Sequence, residues 1–295
     1  MSKRRIIDAH HHLWDLDHGY AYPWLQDKAE GEGMLGDLAL IAKTYLPADY
    51  RAESSVYDLV KSVHIEAVPL DAVAETRWLT GLGDSLPTAI VGRTVLNAPD
   101  TEEIIATHAA LPRVKGIRHI VNWHANPRYT FTPADLLEDA AWQRGFALLR
   151  KYGLSFDMQL YPGQMQGALQ LAQRHPDTLI VINHAGMPVD RDEAGIRLWR
   201  DGLKALAAAD NVAIKISGLG MVDHAWSRES IRPFVLGSIE AFGTKRAMFG
   251  SNFPVDRLYG SFSDTYAAFE HIVSDFSEAE QDRLFRATAE NWYRI

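Results

Sequence analysis

Short apolar runs recur eight times along this chain, and stretches of helical periodicity separate them. The runs lie at residues 5–10, 62–67, 88–96, 114–121, 154–160, 179–183, 212–217 and 246–250. Helical patterns cover 71–82, 133–152, 162–174, 196–209, 228–242 and 264–276. Thr132 reads as the N-cap and Gly153 as the C-cap of the 133–152 segment, and Ser277 opens a last helix through Trp292. Parallel strands need crossover connections, and a helix after every strand supplies them. Eight such units over 295 residues predict a single-domain α/β chain, residues 1–295, folded as a (β/α)8 TIM barrel. A doubly wound open sheet is the competing architecture, but no G-x-G-x-x-G follows the first strand.

Composition narrows the chemistry. Hydrophobic residues make up 47% of the chain, enough for one large core. The net charge of −8 argues against a general nucleic-acid binder. There is no cysteine, so disulfides, thiolate nucleophiles and thiolate metal sites are excluded. Lys3-Arg4-Arg5 runs into Asp8 and histidines rather than an apolar segment, which is not a signal-peptide pattern. No run of about 18 apolar residues predicts a membrane span. A cytoplasmic protein is the default expectation, and oligomeric state is left open.

A barrel places its chemistry at the C-terminal ends of its strands. The first strand ends in Asp8-Ala9-His10-His11-His12-Leu13-Trp14. Residues two apart share a face, so His10 and His12 point together and His11 points toward the helices. Two imidazoles at a strand end can hold a metal, move protons or bind an oxyanion. The second strand carries His64 and Glu66, which read as an internal pair. The fourth ends in Arg118-His119, where a planar, permanently charged guanidinium suits a carboxylate or lactone carbonyl. Asp157, Gln159 and Tyr161 share one face of the fifth strand and are candidates for binding substrate hydroxyls. His184 follows the sixth strand, and Trp123 and His124 follow the fourth, at the expected mouth. Lys215, inside an apolar strand, needs an anionic partner, either a structural carboxylate or an anion.

Five segments taken together resemble the amidohydrolase superfamily over nearly the whole chain. They are residues 8–14, Lys115-Gly116-Ile117-Arg118-His119, residues 154–159, Asn183-His184-Ala185-Gly186-Met187-Pro188, and Gly250-Ser251-Asn252-Phe253-Pro254. The lactonase-like branch, which includes fuconolactonase and 2-pyrone-4,6-dicarboxylate lactonase, is the most similar. The resemblance implies that His10, His12 and His184 match the family's histidines and that a divalent metal, zinc first, is one expectation for them. Asn252 stands where the family usually has an aspartate that takes a proton from water and often ligates metal. An amide does not serve as a base and is a poor ligand. Some lactonase-branch members work without a divalent ion, so metal-free catalysis is the equal alternative. Asp256, four residues on, reaches the site only if the loop curls inward.

These readings converge on hydrolysis of a cyclic ester, a lactone of a sugar acid or of a carboxylated aromatic catabolite. Arg118, Gln159, Asp157, Tyr161, Trp123 and His124 would bind an anionic or hydroxyl-rich small molecule. His10, His12, His184, Asn252 and Asp256 form the catalytic set, with His184 as the first candidate base and Asp256 the second. A non-hydrolytic relative, either a lactone isomerase or a metal-dependent decarboxylase, is the alternative. A binding protein on a silent hydrolase scaffold is the third.

Overall fold

The computed structural model describes residues 3–27 and 34–295. Eight strands pair in parallel in chain order: β1 (Arg5–His11), β2 (Asp58–Ile65), β3 (Ala89–Arg93), β4 (Val114–Arg118), β5 (Ser155–Met158), β6 (Ile180–Ile182), β7 (Val212–Ile216) and β8 (Ala247–Phe249). Residues after β8 close the ring onto β1. Asn252 N–H donates to His10 O at 2.7 Å, and His12 N–H donates to Phe253 O at 2.7 Å. The chain is therefore the expected (β/α)8 barrel. No helix among the described residues is long and apolar enough to cross a membrane.

The interior is filled by small and branched side chains, including Ile7, Ala9, Val63, Ile65, Ala89, Val91, Val181 and Ala213, with Met248. Ala289 and Tyr293 of the last helix (Thr288–Tyr293) join this cluster. A second apolar layer lies between strands and helices. Phe156 on β5, for example, packs edge-on against Trp142 and Phe146 of the helix Ala140–Lys151.

Helix starts follow local capping chemistry. Asp71, Asp192, Ser227, Ser261 and Ser277 each accept a backbone N–H of the first turn. Two expectations change. The 133–152 segment is not one helix capped by Thr132: a short 3-10 turn (Leu136–Glu138) precedes Ala140–Lys151, and Asp139 is the cap. Thr132 instead donates its hydroxyl to Asn122 O and Ala134 O. The helices Pro47–Glu53 and Thr101–Ala109 were not foreseen.

One irregularity on β1 determines how the site is built. Ile7 and Ala9 face the interior, so strict alternation would carry His11 inward. Instead Asp8 pairs with Ser62 and His11 with His64, leaving one extra residue on β1. This bulge inverts the parity. His10 and His12 turn into the barrel. His11 faces out, stacks on Tyr50 at 4.1 Å and bonds Ser62 Oγ at 2.9 Å.

Candidate active site

At the C-terminal ends of the strands, a cavity of about 400 Å³ opens. Its polar lining comprises His12, Arg93, Arg118, His119, Thr132, Gln159, His184 and Asn252. His10 lies beneath them, fully buried, with ring centroids 5.1 Å from His12 and 4.4 Å from His184. Close backbone approaches permit this cluster. A Cβ on Gly250 would lie 2.7 Å from His10 Cβ, and one on Gly218 would collide with His184 Nδ1. Gly218 also has φ +61°, which side-chain-bearing residues disfavour.

Backbone strain concentrates around the same cavity. His184, Ala185 and Met187 have φ of 54°, 52° and 45°, Asn252 has 58°, and Val68 has 53°. A β-branched residue such as Val68 is an outlier there. Its N–H donates to Glu66 Oε2 at 2.7 Å. Such residues persist only where surrounding contacts over-determine them, as at ligand sites.

Burial, first of all, pushes His10, His12 and His184 well below the ordinary imidazole range, and neighbouring cationic groups add to this. All three rings are therefore neutral at pH 7. His12 Nδ1–H donates to Ile65 O at 2.8 Å, which fixes its tautomer and leaves Nε2 an acceptor. Nε2 lies 3.3 Å from Asn252 Oδ1, and Asn252 Nδ2 lies 2.8 Å from Asp256 Oδ1. Burial raises the Asp256 carboxyl to about 7, so it retains a proton in mildly acidic solution. The Asn252 Nδ2 donates to Asp256 Oδ1, and the Asn252 Oδ1 is the atom that faces His12 Nε2. His184 Nδ1 lies 3.0 Å from Ser217 Oγ, and its Nε2 has no partner among the described residues. Both His10 ring nitrogens are also without partners.

Arg118 is anchored from two sides. Its Nε donates to Glu66 Oε1 at 2.5 Å, Nη1 to Gln159 Oε1 at 3.2 Å, and Nη2 to Glu66 O. Two of its five N–H donors remain for a ligand. Glu66 thus pairs with Arg118 and not with His64, because β2 ends at Ile65 and the alternation stops there. His64 accepts the Leu13 N–H and approaches Glu75 at 3.9 Å.

Several expected substrate contacts lie elsewhere. Asp157 is fully buried and does not border the cavity. It accepts from Lys215 Nζ at 2.5 Å, Tyr293 OH at 2.9 Å and Asn183 Nδ2 at 3.0 Å. Tyr161 donates its hydroxyl to Tyr129 O at 2.7 Å and lies outside the lining. Trp123 is 41% exposed, and His124 pairs with Asp190 at 3.1 Å; neither borders the cavity. Asp256 reaches the site only through Asn252. Arg93, at the end of β3, lines the cavity and is not among the residues singled out from the sequence. Inward parity after Val91 was the available signal.

An amidohydrolase family model matches residues 7–295, so the chain belongs to the amidohydrolase family and is a hydrolase by class. It is 42% identical over its full length to the full length of an uncharacterised protein, y4mH, from Sinorhizobium fredii. It is 29% identical to an L-fucono-1,5-lactonase from Burkholderia multivorans, over 98% of this chain and 96% of that one. A crystal structure of a Burkholderia multivorans amidohydrolase with bound zinc superposes with a TM-score of 0.82 at 27% identity, covering 98% of this chain and 99% of that one.

Members of this family are usually metal-dependent. Neutral imidazoles suit zinc by type, but this donor set is incomplete for a resident cation. Among the described residues, no three His, Asp or Glu side chains are disposed to hold one ion. The carboxylate position is Asn252, and His12 Nε2 faces that amide.

Proposed function

We propose that the protein hydrolyses a lactone, a cyclic ester, by attack of water on the carbonyl. The observation that carries this reading is the placement of His184. It is a neutral imidazole on the cavity wall beside Arg118, with Nε2 open and Nδ1 steadied by Ser217. The likeness to an L-fucono-1,5-lactonase supports the same reaction class.

In this reading, His184 Nε2 takes a proton from water as the water oxygen bonds to the carbonyl carbon. The two remaining Arg118 N–H groups stabilise the resulting oxyanion, each such donor being worth roughly 10²–10³ in rate. The ring C–O bond then breaks, and the His184 imidazolium returns its proton to the leaving alkoxide. Asn252, held by Asp256, and His12, held by the Ile65 carbonyl, form the opposite wall. The low proton affinity of His184 makes it a weak base, but lactones are activated esters and require less of one. Gln159 is held by Arg118 and presents its amide N–H₂ toward the ligand space.

The test is ring opening of a lactone panel followed by mass, before and after treatment with a chelator. Hydrolysis adds one water. An unchanged mass or loss of carbon dioxide would replace this reading with isomerisation or decarboxylation. Activity that survives chelation would support the residue assignments, and activity abolished by chelation and restored by zinc would overturn them.

A further inference from the structure

Arg93 differs from every other buried or half-buried cation at this end of the barrel. Arg118 has Glu66, and Lys215 has Asp157. Arg93 has no carboxylate within 4.0 Å among the described residues, and its one polar contact is a long one, Nη1 to Pro69 O at 3.5 Å. It borders the cavity and also a cleft holding Asp71 and Asp100, yet it pairs with neither. A half-buried guanidinium without a partner is a standing site for an anion. Two carboxyls, Glu66 and Glu75, feel its charge, but neither pairs with it. Glu66 is committed to Arg118, and burial raises the Glu75 carboxyl to about 8, so Glu75 is protonated at neutral pH. A chain of net charge −8 therefore carries a local positive centre inside its cavity.

Among the described residues, the rest of the wall is apolar. Trp24, Leu35, Leu38, Ile120, Phe131 and Val255 line the cavity. Beyond the Arg118 and His184 groups assigned to the reacting carbonyl, the polar lining has little capacity to spare: Thr132 Oγ donates to backbone, Gln159 Oε1 accepts from Arg118 and leaves only its amide nitrogen, and the Asn252 amide nitrogen donates to Asp256. A ring bearing three or four hydroxyls would lose its water here and regain few hydrogen bonds, at roughly 1–3 kcal/mol for each unpaired group. An apolar ring loses nothing.

We propose that Arg93 anchors a substrate carboxylate, and that the substrate is a lactone with a carboxylate on an otherwise apolar ring system rather than a polyhydroxylated sugar lactone. This inference rests on the lactone-hydrolase reading above. Arg93 is a specificity-determining residue; it is placed at the cavity wall, with the reacting carbonyl assigned to Arg118 and His184.

Three probes test it: coumarin-3-carboxylate, coumarin and glucono-1,5-lactone. The wild type is expected to open the carboxylate with a kcat/KM at least about tenfold above coumarin and above the sugar lactone. Arg93→Gln should lose on the order of 10²-fold in kcat/KM for the carboxylate, mainly through KM, and leave coumarin nearly unchanged. Arg93→Lys should recover part of the loss. Equal loss on both coumarins, equal rates in the wild type, or preference for the sugar lactone would overturn the proposal while leaving lactone hydrolysis intact. If no lactone opens, the hydrolase reading fails. Calorimetric binding of coumarin-3-carboxylate to wild type and Arg93→Gln then decides alone: weaker binding in the variant upholds the anchor, and equal or absent binding removes it.

Discussion

Asp157 and Arg93 both sit on inward faces of barrel strands, one deep in the interior and one at the rim. Around Asp157 the carboxylate is fully engaged. Lys215, Tyr293 and Asn183 all donate to its carboxylate, and the Lys215 ammonium also lies 5.0 Å from the centre of the Tyr293 ring. Around the rim the interactions are open. Among the described residues, Arg93 has no counter-ion, His10 has two bare nitrogens, and His184 has one. Both regions place a charged side chain at the same inward strand parity. Hydrogen-bond satisfaction separates them: a closed buried network specifies the fold, and an open one waits for a ligand.

The largest effect should come from His184→Ala. Loss of a general base typically costs 10²–10⁴ in rate, so kcat/KM for lactone opening should fall by about 10³. Thermal stability should change little, because the ring makes one side-chain hydrogen bond. Activity assays beside a melting curve check both. A variant that melts early would mean that the rim holds the fold as the deep network does, and the contrast would collapse.

Asp157→Ala should show the reverse pattern. It strands the Lys215 ammonium, fully buried, without its partner, and removing one member of a buried pair costs about 3–5 kcal/mol. Urea unfolding should show that loss. The double replacement Asp157→Leu with Lys215→Met should recover most of it, since an apolar pair of similar volume is often neutral. Full stability in Asp157→Ala with activity lost would return Asp157 to the substrate site.

Glu75 tests whether the shell behind the rim is closed as well. It is fully buried, accepts the Ala67 N–H at 3.0 Å, and burial raises its carboxyl to about 8. The folded state thus holds the proton more tightly than the unfolded chain, whose value is near 4.5. Stability from this group is present in full below pH 4.5 and is lost as pH rises toward 8. Glu75→Gln should flatten that decline and raise the unfolding free energy at pH 8 relative to wild type, by an amount on the order of a few kcal/mol at most. Denaturant midpoints at pH 5 and pH 8 measure it.

Asn252→Asp asks whether the rim lacks only one donor for a metal. It would set a carboxylate against Asp256, where the amide now lies 2.8 Å away, and two carboxylates at that distance share a proton. A cation relieves the repulsion. Zinc should raise the melting temperature of Asn252→Asp by several degrees, on the scale of about 2–4 °C per kcal/mol, and that of the wild type by less. An equal rise in both would mean that the imidazoles alone suffice.

How much of this could be read from the residues follows from the same contrast. The barrel was legible because it rests on local periodicity: all eight strands lie where apolar runs predicted them. His10 and His12 facing one way was legible from spacing, although the bulge that turns them inward was not. Asp157 was misplaced because its partner Tyr293 lies 136 residues away, and sequence shows a residue's type before it shows its partner. Arg93 was overlooked for the complementary reason, since the absence of a counter-ion has no sequence signature. Glu66 was assigned the wrong partner because β2 ends at Ile65, two residues before the end of the apolar run.

The smallest effect concerns Val68. Its φ of 53° costs a β-branched residue on the order of 1–2 kcal/mol, and glycine would remove that strain. Glycine also gives the unfolded chain more freedom, worth roughly 0.5–1 kcal/mol in the other direction. Val68→Gly should therefore gain no more than about 1 kcal/mol. Its effect on catalysis should be the more informative one. The Val68 N–H holds Glu66 Oε2, and Glu66 holds Arg118, so a looser backbone here loosens the oxyanion donor. A variant with unchanged or higher melting temperature and a several-fold lower kcat would show that the strain serves the open end of the barrel. An unchanged kcat would show that Arg118 is held well enough from Gln159 and the Glu66 carbonyl alone.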